Sequence, residues 1–237
     1  MWQTFLKGGP VMWPILFCSV LALAIVLERL FFLLRSRKDP SGFLRRLAWA
    51  MGQGRWVEAS SLIDEADTPV EKVIAAGFAE FLTITGGNWR FDVDNPSEQE
   101  VLDSVEEAME SQGRQEVDRM RQHFPILSVI ITIAPMLGLL GTVTGIINSF
   151  NVLNALAGAT DPLRLSVGIA EALITTAAGL IVAIPALLCY TYLNTLVERN
   201  VSELNRWGDE FLRVLKTKRG DEHEYPSSAT TAAVRDH

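Results

Sequence analysis

Three long apolar runs constrain the fold of this chain more than any other feature. They cover residues 10–34, 124–152 and 165–190, and together they hold only three charged side chains. A helix of about 20 residues spans the roughly 30 Å of hydrocarbon in a bilayer. Because hydrocarbon offers no hydrogen-bond partners to the backbone, each run is predicted to be helical. The sequence therefore predicts an all-α membrane protein with three transmembrane helices.

The first apolar run, residues 10–34, is predicted to be a transmembrane helix rather than a cleaved signal peptide, because it is long and no small-x-small site follows it. Near its end, Glu28 and Arg29 are predicted to mark the water interface, with Arg29 snorkelling towards water. Six Arg and Lys side chains follow between residues 35 and 55. The positive-inside rule places them in the cytoplasm. Three spans then predict that residues 1–9 are external and that the C-terminus is cytoplasmic.

The segments outside the apolar runs are predicted to be largely helical. Residues 35–96 form a cytoplasmic section of short helices, one of which opens with a capping box from Thr68 to Glu71. Residues 97–123 are predicted to be the cytoplasmic part of one long helix that continues into the second run. Residues 191–219 are predicted to extend the third run into the cytoplasm as a helix. Two segments remain, the external loop 153–164 and the polar tail 220–237, which is predicted to be disordered.

The composition argues against several classes of function. The net charge of −7 offers no general basic surface for nucleic acid. The two cysteines, Cys18 and Cys189, lie inside apolar runs and are interpreted as buried small hydrophobes rather than as a disulfide or metal site. The histidines lie outside these runs, and the sequence has no nucleotide-binding loop or nucleophile–base set. We therefore predict a protein that is not an enzyme and that carries no metal or cofactor.

Small residues line one face of the second run. Gly138, Gly141 and Gly145 are three and four residues apart, so they share a helix face that lets another backbone approach closely. The third run has a similarly thin surface of alanines around Gly179. Tight helix packing is predicted, either within one chain or around a ring of chains. Two prolines inside the runs are predicted to kink their helices, Pro135 and Pro185.

Polar side chains lie deep inside the second and third runs. At about 1.5 Å per residue, Thr142 and Thr176 both lie ~15 Å from the external ends of their runs, close to the middle of the bilayer. Glu171 lies ~9 Å deep by the same count. A carboxylate in hydrocarbon costs several kcal/mol to insert, so Glu171 is a functional-site hypothesis. The two hydroxyls are predicted to form a polar ring, and the alternative is that each bonds only to its own helix.

The sequence leaves open which of two adjacent threonines shares a face with Glu171. On an ideal helix four residues advance the direction of a side chain by about 40°, so Thr175 lies on the Glu171 face. Thr176 points about 140° away from it. Thr175 is therefore kept as a candidate beside Thr176.

These motifs resemble the ExbB/TolQ/MotA family of proton-channel subunits, and within it the ExbB/TolQ branch. The resemblance is carried by Ala134-Pro135-x-x-Gly138-Leu-x-Gly141-Thr142-Val-x-Gly145 and by Gly168-Ile-Ala-Glu171-Ala-Leu-x-x-Thr176-Ala-x-Gly179-Leu. It implies a pentamer of three-span subunits around a central pore. That pore would hold an ExbD/TolR-type single-span partner, whose aspartate carries the proton. The resemblance also maps the pore threonines of the family onto Thr142 and Thr176, and its glutamate onto Glu171.

The function that the resemblance implies is that of a stator subunit in a motor of the bacterial inner membrane. An ExbB-type subunit would couple the proton-motive force to a TonB-type protein, which energises outer-membrane transport. A TolQ-type subunit, acting on a TolA-type protein in envelope maintenance, and a gliding-motility motor are alternatives within the family. Two rivals belong to other classes: a membrane scaffold that conducts nothing, and a small membrane enzyme with Glu171 as general base.

Overall fold

A computed structural model of the chain describes residues 9–36, 39–86, 96–155 and 162–217. Within these ranges the regular structure is entirely α-helical, which confirms the predicted fold class. In chain order the helices are α1 (Met12–Arg35), α2 (Ser41–Gly52), α3 (Trp56–Asp64), α4 (Pro69–Thr85), α5 (Pro96–Arg121), α6 (Phe124–Ala155) and α7 (Pro162–Thr217). Residues 1–8, the middle of the predicted external loop (156–161) and the predicted disordered tail lie outside the described residues, whereas the two ends of that loop are helical.

Three of the described helical stretches are long and apolar enough to cross a membrane, and they contain α1, α6 and the first half of α7. Large apolar side chains cover their outer surfaces; Phe17, Leu139 and Ile181 are each 60% or more exposed. Such surfaces are stable only against lipid or another protein. The third span continues without interruption into the polar half of α7, as the spacing of its apolar residues predicts.

The chain folds into two compact units. The first, which we call the membrane unit, combines Met1–Arg35 with Met120–Glu198. The second, which we call the bundle unit, combines Ser36–Arg119 with Arg199–His237. In the membrane unit α1 packs against α6. Both prolines that are predicted to kink helices lie inside helices, Pro135 in α6 and Pro185 in α7.

The long helix predicted from residue 97 to residue 152 is divided in the structure. Helix α5 ends at Arg121 and α6 begins at Phe124. Between them His123 has a φ of 69°, in the left-handed region that an α-helix of L-residues cannot contain. The imidazole Nδ1 of His123 lies 2.9 Å from the Oε2 atom of Glu28, so the break is also a contact with α1.

Two residues near this break, Pro125 and Arg29, have clear structural environments. Pro125 lies in the first turn of α6, where a missing N–H removes no helical hydrogen bond. The side chain of Arg29 is only 5% exposed, packs against Phe32 and pairs with Glu28. The prediction that Arg29 snorkels into water is therefore wrong, because its neighbours in the folded membrane unit cover it.

In the bundle unit α2, α3 and α4 pack successively on one another around fully buried side chains such as Leu47, Ala59 and Phe78. The predicted capping box starts α4: the Thr68 hydroxyl accepts the Glu71 N–H at 3.3 Å, and the Glu71 carboxylate accepts the Thr68 N–H at 2.9 Å.

Before α2, hydrogen bonds from the N–H and hydroxyl of Ser41 lower the pKa of Asp39.

Helix α5 lies between α4 and α7 in the bundle unit. A Cβ atom added to Gly77 of α4 would overlap the side chain of Met109 and lie 3.3 Å from Val105. A Cβ atom added to Gly208 of α7 would lie 3.2 Å from the terminal carbon of Met109. The two glycines therefore admit the Met109 side chain between the helices, and Met109 is only 5% exposed.

Candidate functional site

The glycine face of α6 packs directly on α7 of the same chain. A Cβ atom added to Gly138 would lie 2.9 Å from both the Thr175 carbonyl oxygen and the Thr176 Cα. A Cβ atom added to Gly141 would overlap the Thr175 side chain, whose own Cβ would be 2.6 Å away. Such distances are shorter than real Cβ atoms show. Only glycine fits at these two positions without a shift of the helices.

The same close approach continues along the contact in both directions. A Cβ atom added to Gly145 would lie 2.9 Å from the Ala172 Cβ. On the facing helix, a Cβ atom added to Gly179 would lie 2.5 Å from the Ala134 carbonyl oxygen. All four glycines predicted for helix packing therefore lie where the backbones of α6 and α7 meet. The sequence left open whether this packing is within one chain or between chains, and the structure shows it within one chain.

This approach brings two intramembrane hydroxyls into contact. The Oγ1 atoms of Thr142 and Thr176 are hydrogen-bonded to each other across the two helices. Each also reaches the Gly138 carbonyl oxygen, at 3.3 Å from Thr142 and 3.0 Å from Thr176. The Thr142 hydroxyl lies 3.3 Å from the Ala172 carbonyl oxygen as well. We call Thr142, Thr176 and these two carbonyl groups the hydroxyl cluster.

The hydroxyl cluster combines the two alternatives that the sequence left open. Thr142 can donate to the carbonyl of its own helix, and it also meets Thr176 on α7. Each hydroxyl has one proton and two lone pairs. After the two protons are placed, the cluster retains free lone pairs and can accept a further hydrogen bond. Both threonines are half-buried, so the cluster can be reached from outside the helix pair.

Thr175 has a different environment from Thr176. It is 1% exposed, and its hydroxyl donates to the Ala172 carbonyl at 2.6 Å and lies 3.2 Å from the Gly138 carbonyl. Its side chain fills the space that Gly141 leaves open. The structure therefore joins Thr176, and not Thr175, to Thr142, while Thr175 packs in the α6–α7 contact.

Glu171 lies apart from the hydroxyl cluster. It is half-buried and precedes Thr176 by five residues, about 7.5 Å along α7. Among the described residues its carboxylate forms no hydrogen bond or ion pair. The described residues also contain no group of His, Cys, Asp and Glu side chains that could hold a metal ion. Cys18 and Cys189 are free and half-buried.

One polar contact in the membrane unit was not predicted from the sequence. Glu28 was interpreted only as an interface residue, yet it meets His123, which is 95 residues further along the chain. Pro125, two residues after His123, is a signal for a helix start, but nothing in the sequence indicates that His123 meets Glu28. The contact lies at the N-terminal end of α6, remote from the hydroxyl cluster along that helix.

The structure thus defines a three-span membrane protein whose second and third spans enclose a polar cluster. Residues 65–206 match the MotA/TolQ/ExbB proton channel family, and the chain belongs to this family. The match includes the whole glycine face of α6 and the Glu171 segment of α7. The family resemblance of the sequence motifs is confirmed.

Relatives of this chain carry both ExbB and TolQ names. It is 36% identical over 208 residues to the biopolymer transport protein ExbB-like 1 of Synechocystis sp., covering 87% of this chain and 75% of the relative. It is 28% identical over 197 residues to the Tol-Pal system protein TolQ of Haemophilus influenzae, covering 83% of each. It is 31% identical over 196 residues to the biopolymer transport protein exbB1 of Vibrio cholerae, covering 83% and 80%.

The contact between α6 and α7 predicts that Gly141 tolerates no added methyl group. Gly141→Ala should destabilise the protein by about 1–3 kcal/mol, because the new Cβ overpacks against Thr175. The thermal unfolding midpoint of the detergent-solubilised protein measures this. Gly42→Ala is the matched control, since a Cβ atom at Gly42 meets nothing within 4 Å. Equal midpoints for the two variants would contradict the close approach.

Proposed function

We propose that this chain is an ExbB-type stator subunit of a bacterial inner-membrane motor. In this proposal five copies form a pentamer around an ExbD/TolR-type single-span partner. Proton flow at that centre drives work on a TonB-type envelope protein and so energises outer-membrane transport. The observation that carries the proposal is the hydroxyl cluster, which lies at mid-membrane depth on a family-matched segment and retains hydrogen-bond acceptors. A TolQ-type subunit that acts on a TolA-type protein is the second candidate, because relatives of both names match this chain.

The hydroxyl cluster suits a partner carboxyl group in both of its protonation states. A protonated carboxylic acid can donate its proton in a hydrogen bond to a threonine oxygen. After that proton leaves, the same hydroxyls can rotate and donate to the carboxylate. Thr142 and Thr176 would then stabilise the carrier of the proton without carrying a proton themselves. The Gly138 carbonyl, which both hydroxyls reach, accepts the hydrogen bond of a hydroxyl that does not donate to the partner.

We propose that Glu171 serves the external side of the same path. It lies nearer than the cluster to the start of α7, and no described residue of its own chain satisfies its carboxylate. An unsatisfied carboxylate in hydrocarbon is expensive, so it should face a pore or a neighbouring chain. Its proposed role is to receive protons from outside and to pass them to the partner carboxylate. The alternative role is a neutral Glu171 that only hydrogen-bonds a neighbouring subunit.

The proposal includes an orientation and argues against two other classes of function. The basic residues after α1 place the bundle unit in the cytoplasm and the residues before α1 in the periplasm. An enzyme with Glu171 as general base would need a second catalytic group beside it, and the cluster threonines lie more than a helical turn away. A scaffold that conducts nothing leaves the paired intramembrane hydroxyls and Glu171 without a role. We therefore propose a non-enzymatic channel subunit that needs no cofactor.

Replacing the cluster hydroxyls tests this function directly. Thr142→Val and Thr176→Val keep the shape of the side chain and remove its hydrogen bonds. Each variant should reduce proton uptake at least about tenfold, because a hydrogen bond to a charged group contributes about 1.5–3 kcal/mol. Uptake is measured in vesicles that contain the complex with its single-span partner, under an imposed proton gradient.

A matched control lies two residues from Thr142. Thr144 is exposed, and among the described residues its hydroxyl donates only within α6, at 3.0 Å to the Leu140 carbonyl and 3.1 Å to the Gly141 carbonyl. Thr144→Val should therefore leave uptake unchanged. Normal uptake by both cluster variants would show that the hydroxyls only bond to the helices, and the proposed function would lose its main support.

Glu171→Gln separates the two roles of the carboxylate, because glutamine keeps the hydrogen bonds and cannot release a proton. If Glu171 passes protons, the Gln variant should lose most of its uptake while the complex with the partner still purifies. Glu171→Asp, which keeps an ionisable group on a shorter side chain, should retain part of the activity. Wild-type uptake by the Gln variant would make Glu171 a structural residue.

A further inference from the structure

In the bundle unit α5 and α7 lie side by side and run in opposite directions. Helix α5 leads into α6 and α7 returns from the membrane, and Met109 of α5 contacts Gly208 of α7. A half-open cleft of about 500 Å³ follows this contact and has an apolar floor that includes Val73 and Leu204. One wall of the cleft is the charged edge of α5.

Residues on the two helices can be matched by level from the Met109–Gly208 contact. Since both helices rise about 1.5 Å per residue, each step back along α7 corresponds to one step forward along α5. In three pairs of charged residues, the two members lie at the same height along the helix axes to within one residue: Asp118 with Arg199, Arg114 with Glu203, and Glu110 with Arg206.

The charges at these three levels are opposite in every pair. The α5 line, which consists of Asp118, Arg114 and Glu110, reads acid, base, acid. The α7 line, which consists of Arg199, Glu203 and Arg206, reads base, acid, base. Within each line the residues are three or four apart, so each line occupies one face of its helix. All six residues are exposed.

Within one chain the two lines do not form ion pairs with each other among the described residues. Among the described residues, the only ion pair that either line forms is between Arg114 and Glu110, at 3.3 Å and on the same helix. The side chains of this pair are 68% and 63% exposed. Arg206 lies over the ring of its neighbour Trp207. The complementary lines of α5 and α7 are therefore not satisfied by each other in a single copy.

We propose that the α7 line of one copy packs against the α5 line of the next copy in the ring. The inference rests on the ring assembly in the proposed function. In the proposed ring α5 and α7 run along the symmetry axis, so a rotation about that axis leaves the level of every residue unchanged. A residue pair that is level within one chain is then also level between neighbours. The α7 line of each copy then meets opposite charges at all three levels of the adjacent α5 line.

This contact has the properties that closing a ring requires. It joins two different surfaces of each copy, which is the head-to-tail arrangement that generates rings. Exposed ion pairs contribute little binding strength, so the role of the lines is to fix the register and to select the partner. A slip by one helical turn would bring Asp118 towards Glu203 and Arg114 towards Arg206, and like charges would oppose the slip.

Disulfide trapping between two co-expressed chains tests the inference. In a background of Cys18→Ala and Cys189→Ala, one chain carries Asp118→Cys and the other, with a different tag, carries Arg199→Cys. Because each chain has a single cysteine, a disulfide between them joins two copies. Oxidation in membranes should give a covalent dimer that contains both tags. Arg114→Cys with Glu203→Cys should behave in the same way.

The matched control pairs Asp118→Cys with Arg206→Cys, which lie on the same two faces about 10 Å apart in level. Its dimer yield should be severalfold lower than that of the level pairs. Equal yields, or no dimer from the level pairs in a complex that native mass spectrometry shows to be oligomeric, would overturn this interface and leave the proposed function standing. A monomeric complex would overturn both the interface and the ring.

Discussion

The close contact between the backbones of α6 and α7 is the constraint on which the rest of the membrane unit depends. In hydrocarbon, helices gain little from hiding apolar surface, and small residues hold them together by permitting close packing and polar contacts. Gly138 and Gly179 bring the two backbones so near that a carbonyl of α6 lies within reach of hydroxyls on α7. The pairing of Thr142 with Thr176 is a consequence of this separation. A wider spacing would leave each hydroxyl bonded only to its own helix.

The two units each contain groups that the proposed ring would satisfy. The membrane unit contains polar groups that need a partner: Glu171, which meets none among the residues that the structure describes, and a hydroxyl cluster with spare acceptors. The bundle unit contains exposed lines of alternating charge on α5 and α7. Under the proposed assembly, neighbouring copies and the single-span partner would satisfy both sets. The same chain would then need its ring for polar satisfaction in the membrane and for charge pairing in water.

Much of this architecture could be predicted from the sequence because hydrophobic length and helical spacing are local properties. Uninterrupted apolar runs predict the spans, and glycines three and four residues apart predict a thin face. The sequence could not predict the environment of residues whose contacts are distant along the chain. Pro125 indicates a helix start close to His123, but no local signal indicates that His123 meets Glu28 of α1. Whether Thr175 or Thr176 meets Thr142 depends on the position of α6 relative to α7. The geometry of α7 alone, treated as an ideal helix, cannot predict that position.

The central claim is that Thr142 and Thr176 meet across α6 and α7 within one chain in the membrane. A protein with Thr142→Cys and Thr176→Cys, in a background without Cys18 and Cys189, tests it after oxidation in native membranes. Cβ atoms about 4 Å apart can form a disulfide. The account predicts an intrachain disulfide, detected as the loss of two hydrogen masses from a chain that remains monomeric in denaturing gels. Thr144→Cys with Thr176→Cys should stay reduced. Free thiols in the first variant, or disulfides only between chains, would contradict the account.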